Sequence, residues 1–273
     1  MQVKSSLTPE SPIGIFDSGI GGLTVANAIR KILPGESIIY FGDTAHLPYG
    51  DKAPESIIGY AVGISDFLLK SGCKMIVIAC NTASSIAFDA VKKHVGKKAI
   101  VIDVINPVVA EVSSSKKLKR IGVIGTRATI KSEAYARRIT QSNPSIEVLS
   151  LATPLLAPMI EEGFFDNKIS QTIINSYLDR PKIRKIESII LACTHYPLIR
   201  PEIEKYYKGK VQIIDSAQIV AAYVKKQLEL KKLLNPAPKG KQRFYVSDLT
   251  PSFIKSTRHF FTGKVKLEKK NLW

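Results

Sequence analysis

Two cysteines stand where chemistry is possible. Each closes an apolar run: Ser188-Ile-Ile-Leu-Ala-Cys193 leads into Thr194-His195-Tyr-Pro197, and Met75-Ile-Val-Ile-Ala-Cys80 leads into Asn81-Thr82-Ala-Ser84. A thiol at the mouth of a buried strand, at the start of a helix, meets the partial positive charge of the helix N-terminus, which favours a thiolate and lets backbone N–H groups hold an anion. Two such thiols facing one another across a cleft suit one reaction in particular. One sulfur removes a proton from a carbon, the other delivers a proton to the opposite face, and the centre inverts.

Supporting groups sit at matching places. Asp17 ends an early apolar segment and could accept or orient a proton near Cys80, while His195, two residues after Cys193, could do the same on the other side. In Ile160-Glu-Glu-Gly163 either Glu161 or Glu162 could partner that histidine, and spacing does not choose between them. The turn Asp17-Ser-Gly-Ile-Gly-Gly22 lacks both the GxxxxGK[ST] and the GxGxxG pattern, so a carboxylate site fits it better than a phosphate cradle. Cys73 has no counterpart and reads as a packing residue, as do His46, His94 and His259. With no CxxC pair and no zinc-like histidine spacing, no metal site is expected.

The elements that must carry these residues alternate between strand and helix. Strands are expected at 12–16, 37–41, 75–79 and 99–104, with helices at 23–33, 54–70 and from Cys80 to Val95. The strands are apolar throughout, as in a parallel sheet covered on both faces. The pattern then restarts. Ile121 answers Ile13, Thr153 answers Thr44, Cys193 answers Cys80 and Asp215 answers Asp103, four landmarks in order about 110 residues apart, the mark of a duplicated unit. Beyond Asp215 come a helix at 217–234, a Pro/Gly linker at 235–240, a strand-like 243–246 and a last helix at 251–261 expected to pack back on the first half.

The expected fold is therefore α/β, with two similar domains, each a mostly parallel sheet flanked by helices, and the active site in the cleft between them. Residues 1–11 read as a disordered leader, 12–106 plus 218–273 as a discontinuous first domain, and 107–217 as the second.

The bulk properties agree with a globular chain of 273 residues, 45% hydrophobic, with mean hydropathy +0.04. The N-terminal residues carry no apolar signal region and no run reaches the roughly 18 apolar residues of a membrane helix, so a cytoplasmic protein is expected. Three cysteines make a poor disulfide framework and suit a reducing compartment. The net charge of +17 lies in short lysine clusters such as 113–120, 225–232 and 264–270 without interleaved aromatics, which reads as solvated faces and argues against a nucleic-acid groove.

The stretches IGIFDSGIGGLTV, YFGDTAHLPYG, ACNTAS, IGVIGTRATI and LACTHYPL, spanning nearly the whole chain from Ile13, resemble the glutamate racemases of the aspartate/glutamate racemase superfamily. The resemblance implies cofactor-independent interconversion of L- and D-glutamate for peptidoglycan, with neither pyridoxal phosphate nor metal. It implies Cys80 as the base toward D-glutamate and Cys193 as the base toward L-glutamate, each the acid in reverse, with Asp17 assisting Cys80 and His195 and Glu161 assisting Cys193. Substrate contacts would come from Asp17, Ser18, Tyr49, Gly50, Asn81, Thr82, Thr194 and His195, and the protein would be a homodimer. Aspartate or hydantoin racemisation is the nearest alternative; a basic binding protein with no activity is the alternative of another class.

Overall fold

The computed structural model describes residues 7–263 and 265–273. The first half supplies strands β1 (Ile13–Asp17), β2 (Ile38–Gly42), β3 (Met75–Ile78) and β4 (Ile100–Asp103); the second supplies β5 (Arg120–Gly125), β6 (Glu147–Ala152), β7 (Ser188–Ala192) and β8 (Gln212–Asp215). Two more, β9 (Gln242–Val246) and β10 (Leu267–Lys269), come from the last part of the chain. Short runs of four or five mostly apolar residues make these strands because β1, β2, β3 and β7 are buried along their whole length, leaving no solvent face that would call for alternation.

Two separate sheets form, ordered β10-β9-β2-β1-β3-β4 and β6-β5-β7-β8. The shared core order, second-first-third-fourth, is the duplication in three dimensions. Every pairing is parallel, so in each sheet the carboxyl ends lie along one edge, where loops and helix N-termini gather in open α/β sheets. Register fixes the neighbours: Phe16 pairs with Ile78, which brings Asp17 and Cys80 to adjoining strand ends, and Gly125 pairs with Ala192, which does the same for Thr126 and Cys193.

The end of the chain returns to the first sheet. Strand β9 adds to the β2 edge, with Phe41 opposite Tyr245, and the helix Ser216–Leu230 packs on the helices Leu23–Ile32 and Asn106–Ser113. That helix stops short of the expected Leu234 because Lys232 takes a left-handed conformation, φ 55°. Strand β10 was not expected from the sequence, its short Leu267-Glu-Lys269 reading as part of a charged surface cluster.

The expected leader 1–11 is only partly open to comparison, since residues 1–6 lie outside the described residues. Residues 7–11 are tied down. Leu7 packs on the core, and the Pro9 carbonyl accepts a bond from Lys74 Nζ, which also reaches Leu233 O at 2.8 Å and Glu36 Oε2 at 2.6 Å. Lys74 and Glu36 are both buried. A buried ammonium must be surrounded by acceptors, and Pro9, Glu36 and Leu233, far apart in the chain, supply them.

Candidate active site

The turn Asp17–Gly22 is one place where the two halves meet. Asp17 is fully buried at the end of β1; its Oδ2 accepts from Gly22 N at 2.9 Å and Gly19 N at 3.2 Å, while Oδ1 is buried without a partner among the described residues. Ser18 Oγ lies 3.7 Å from Cys80 Sγ. Three residues on, Gly21 touches the other half: a Cβ there would stand 2.5 Å from His195 Cε1 and 2.6 Å from Thr194 Oγ1, so only glycine lets the turn come this close. Thr24 Oγ1, in the helix that follows, donates to Thr194 O at 3.2 Å. One short turn thus connects the surroundings of both thiols.

Cys80 caps the helix Asn81–Val95, its Sγ accepting from Ala83 N at 3.4 Å. The sequence suggested that this position would favour a thiolate. The structure reverses that expectation: burial, and then the nearby Asp17 carboxylate, push the Cys80 thiol up to about 12 against smaller opposing contributions from Ala83 N–H and Ser18. Desolvation outweighs one capping bond, and the resting sulfur is a thiol.

Cys193 is also buried, and its Sγ lies 3.6 Å from His195 Nδ1. The other ring nitrogen, Nε2, lies 2.8 Å from Glu161 Oε1, a close charge contact off the direction of a hydrogen bond. Burial by itself would lower the imidazole pKa, but the Glu161 carboxylate and the Cys193 sulfur hold it well above the ordinary value; Glu161, which burial alone would raise, is in turn lowered by His195. The choice that the sequence left open between the two glutamates falls to Glu161 by contact, at the end of the helix Leu156–Glu161.

The remaining predicted residues divide. Asn81 and Thr82 begin the Cys80 helix and face the second half. Asn81 Oδ1 accepts from Tyr135 OH at 2.7 Å while its Nδ2 is buried with no partner among the described residues, and Thr82 Oγ1 lies 2.9 Å from Thr126 Oγ1 and 3.2 Å from Thr129 Oγ1. Thr194 is buried beside Gly21. Gly50 approaches Thr126 so closely that an added Cβ would stand 2.9 Å from the threonine Cβ. Tyr49 differs: its buried hydroxyl donates to Asp43 Oδ2 at 2.6 Å, and Asp43 is held further by Ser247 Oγ at 2.8 Å and His46 Nδ1 at 2.8 Å. The Tyr49 hydroxyl is therefore engaged in fixing its own loop.

The family model of the Asp/Glu/Hydantoin racemases matches residues 23–224. The chain belongs to this family. It is 40% identical to the glutamate racemase of Geobacter metallireducens over 94% of this chain and 95% of the relative, and 43% identical to that of Chlorobaculum tepidum over 94% of each. Among solved structures, the Francisella tularensis glutamate racemase in complex with D-glutamate superposes with a TM-score of 0.91 at 41% identity, covering 97% of this chain and 98% of that one. The two-sheet α/β fold is that of these relatives, and the protein is an amino-acid racemase, an isomerase.

Several residues of this racemase's cleft escaped the sequence reading. Thr126 and Thr129 complete the hydroxyl cluster around Thr82, and the repeat carried a signal for the first, since pairing Ile13 with Ile121 also pairs Ser18 with Thr126. Phe260 sets its ring edge-on to His195 at 5.3 Å between centroids. It ends the helix Pro251–Phe260, which touches the second half here as well as the first, where it was expected. Nothing in local sequence marks it.

Proposed function

We propose that this racemase interconverts L- and D-glutamate by two-base proton transfer between Cys80 and Cys193, without a cofactor, and so supplies D-glutamate for peptidoglycan. The observation that supports the reading is the paired construction of the site: two buried thiols, each at the carboxyl edge of one of two alike sheets, one beside Ser18 and the Asp17 carboxylate and the other beside His195, linked through the turn Asp17–Gly22.

The protons balance as follows. From one enantiomer, Cys193 thiolate takes the Cα proton while Cys80 thiol gives its proton to the opposite face; from the other, the transfers reverse. After each turnover the thiols hold exchanged protonation states, and Asp17 on one side and His195 on the other are placed to reset them. Resting Cys80 as a thiol fits the acid role, with the raised imidazolium of His195 stabilising negative charge on the Cys193 sulfur. Two buried groups lacking partners, Asp17 Oδ1 and Asn81 Nδ2, are an acceptor and a donor; a bound amino acid offers an ammonium to the first and a carboxylate to the second. Removing a Cα proton is difficult chiefly because negative charge develops on carbon and carboxylate, and donors fixed in a dry cleft are the largest single means of lowering that cost.

Ser18, Thr82, Thr194 and the backbone around Tyr49-Gly50 complete the proposed substrate shell, and the working form is proposed to be a homodimer in the cytoplasm. Purified protein should racemise glutamate, measured by circular dichroism and by uptake of solvent deuterium at Cα. Turnover of aspartate or a 5-substituted hydantoin with none of glutamate would replace the substrate assignment; racemisation by Cys80→Ala or Cys193→Ala at the normal rate would overturn the mechanism.

A further inference from the structure

The orphaned amide of Asn81 raises the question of what aims it. An asparagine amide presents nearly the same shape when turned by half a revolution, exchanging acceptor for donor. Its direction is set by its partner. That partner is Tyr135, whose hydroxyl donates to Asn81 Oδ1 at 2.7 Å and has no other bond among the described residues. Turning the amide over would leave the phenolic hydrogen buried without an acceptor, which costs more than an average bond is worth.

Tyr135 is mounted rigidly and on the opposite half. It lies in the helix Ala134–Ser142, one turn before Arg138, whose guanidinium donates to Asp103 Oδ2 and to Asn106 Oδ1, each at 3.0 Å. Asp103 ends β4 and itself caps Asn106 N at 2.9 Å. The second half is thereby clamped to the first one helical turn along from Tyr135, and both Tyr135 and Asn81 are almost wholly buried.

We infer that Tyr135 is a positioning residue of the racemase: across the boundary between the halves, its hydroxyl locks the Asn81 amide so that Nδ2 is the group offered to the substrate carboxylate. This rests on the reading that Asn81 binds substrate. The hydroxyl never touches the reacting atoms. It acts through Asn81 alone, and its loss leaves the amide free to present its oxygen to an anion.

A double-mutant cycle tests this. Tyr135→Phe, Asn81→Ala and the double variant are assayed with L- and D-glutamate, alongside thermal unfolding with and without D-glutamate. Tyr135→Phe is expected to raise KM about tenfold or more with a smaller change in kcat, and to diminish the stabilisation by D-glutamate while leaving the ligand-free transition within a few degrees of wild type. Asn81→Ala is expected to match it, and the double variant to be no worse than Asn81→Ala within about twofold, because coupled residues do not add. A wild-type KM in Tyr135→Phe, or losses that multiply in the double variant, would overturn the inference. Should Tyr135→Phe fail to fold, Asn81→Asp keeps the acceptor for Tyr135 and removes only the donors; unchanged KM there would equally overturn it. Failure of the two-thiol mechanism would show separately, in activity retained by the cysteine variants while both tyrosine and asparagine are intact.

Discussion

Replacing Glu161 by glutamine removes one charge from the Cys193 side and little else, so its consequences can be worked through. Glu161 Oε1 stands 2.8 Å from His195 Nε2, with the carboxylate side chain a quarter exposed and the imidazole almost wholly buried. Unscreened by anything but an effective dielectric of about 20, that contact is worth about 6 kcal/mol. Most of this offsets the desolvation of the carboxylate, and what survives, at the low end of the range for close charge pairs, is about 1.5–3 kcal/mol. At about 1.4 kcal/mol per tenfold, kcat/KM should fall between roughly tenfold and a hundredfold. Because the two enantiomers are equal in free energy, kcat/KM must fall by the same factor in both directions. The asymmetry appears elsewhere. With transfer at Cys193 slowed, the isotope effect from Cα-deuterated L-glutamate, whose deuterium Cys193 removes, should grow, and that from Cα-deuterated D-glutamate should shrink. The pH profile should move too. Glu161 and the Cys193 sulfur raise the His195 pKa, so the limb on which the imidazolium is lost lies above the ordinary histidine range in the wild type and moves to lower pH in Glu161→Gln. The linked stability follows the same sign: the pairing stabilises fully below the unfolded histidine pKa and is lost as pH rises through the raised folded value. Isotope effects that stay symmetric and a limb that stays in place would refute a role for Glu161 through His195.

Asp17→Asn should lower kcat/KM by about a hundredfold, the scale of one acid–base group, with the fold retained, since Oδ1 has no partner among the described residues to lose; steady-state kinetics with an unchanged far-UV spectrum checks it. Alkylation of Cys80 by iodoacetamide, followed by peptide mass spectrometry, should keep accelerating with pH through pH 10, because burial and Asp17 push the thiol up to about 12; a plateau near pH 8 would contradict this. Lys74→Met should cost about 3–5 kcal/mol in urea unfolding, the penalty for stranding a buried Glu36, and adding Glu36→Leu should restore part of it.

Much of this architecture could be read from the chain because duplication lets each half check the other. Cys193 is ambiguous alone, as free cysteines are usually packing residues, but the recurrence of Ile13, Thr44, Cys80 and Asp103 as Ile121, Thr153, Cys193 and Asp215 fixes where in the fold both thiols stand. Contacts within one sheet edge, such as Asp17 beside Cys80, follow from strand order and register. Contacts across the cleft do not. Tyr135 on Asn81, Phe260 on His195 and Gly21 against Thr194 depend on how two surfaces distant in the chain meet, and no local pattern encodes that. The sign of the Cys80 shift was misjudged for a related reason: a helix N-terminus is visible in sequence, whereas the depth to which its first residue is buried is not.

The pairing of β9 with β2 bears on how the molecule is made. Asp43, just past β2, binds Ser247, just past β9, across 204 positions of chain, and between their syntheses the β2 edge has no partner strand on that side. An exposed, uncharged edge such as Ile-Ile-Tyr-Phe-Gly is a template for pairing with another chain, and contacts of such separation form late. A ribosome-bound or truncated chain ending before Gln242 would therefore be the aggregation-prone species of this protein, its first sheet still unfinished.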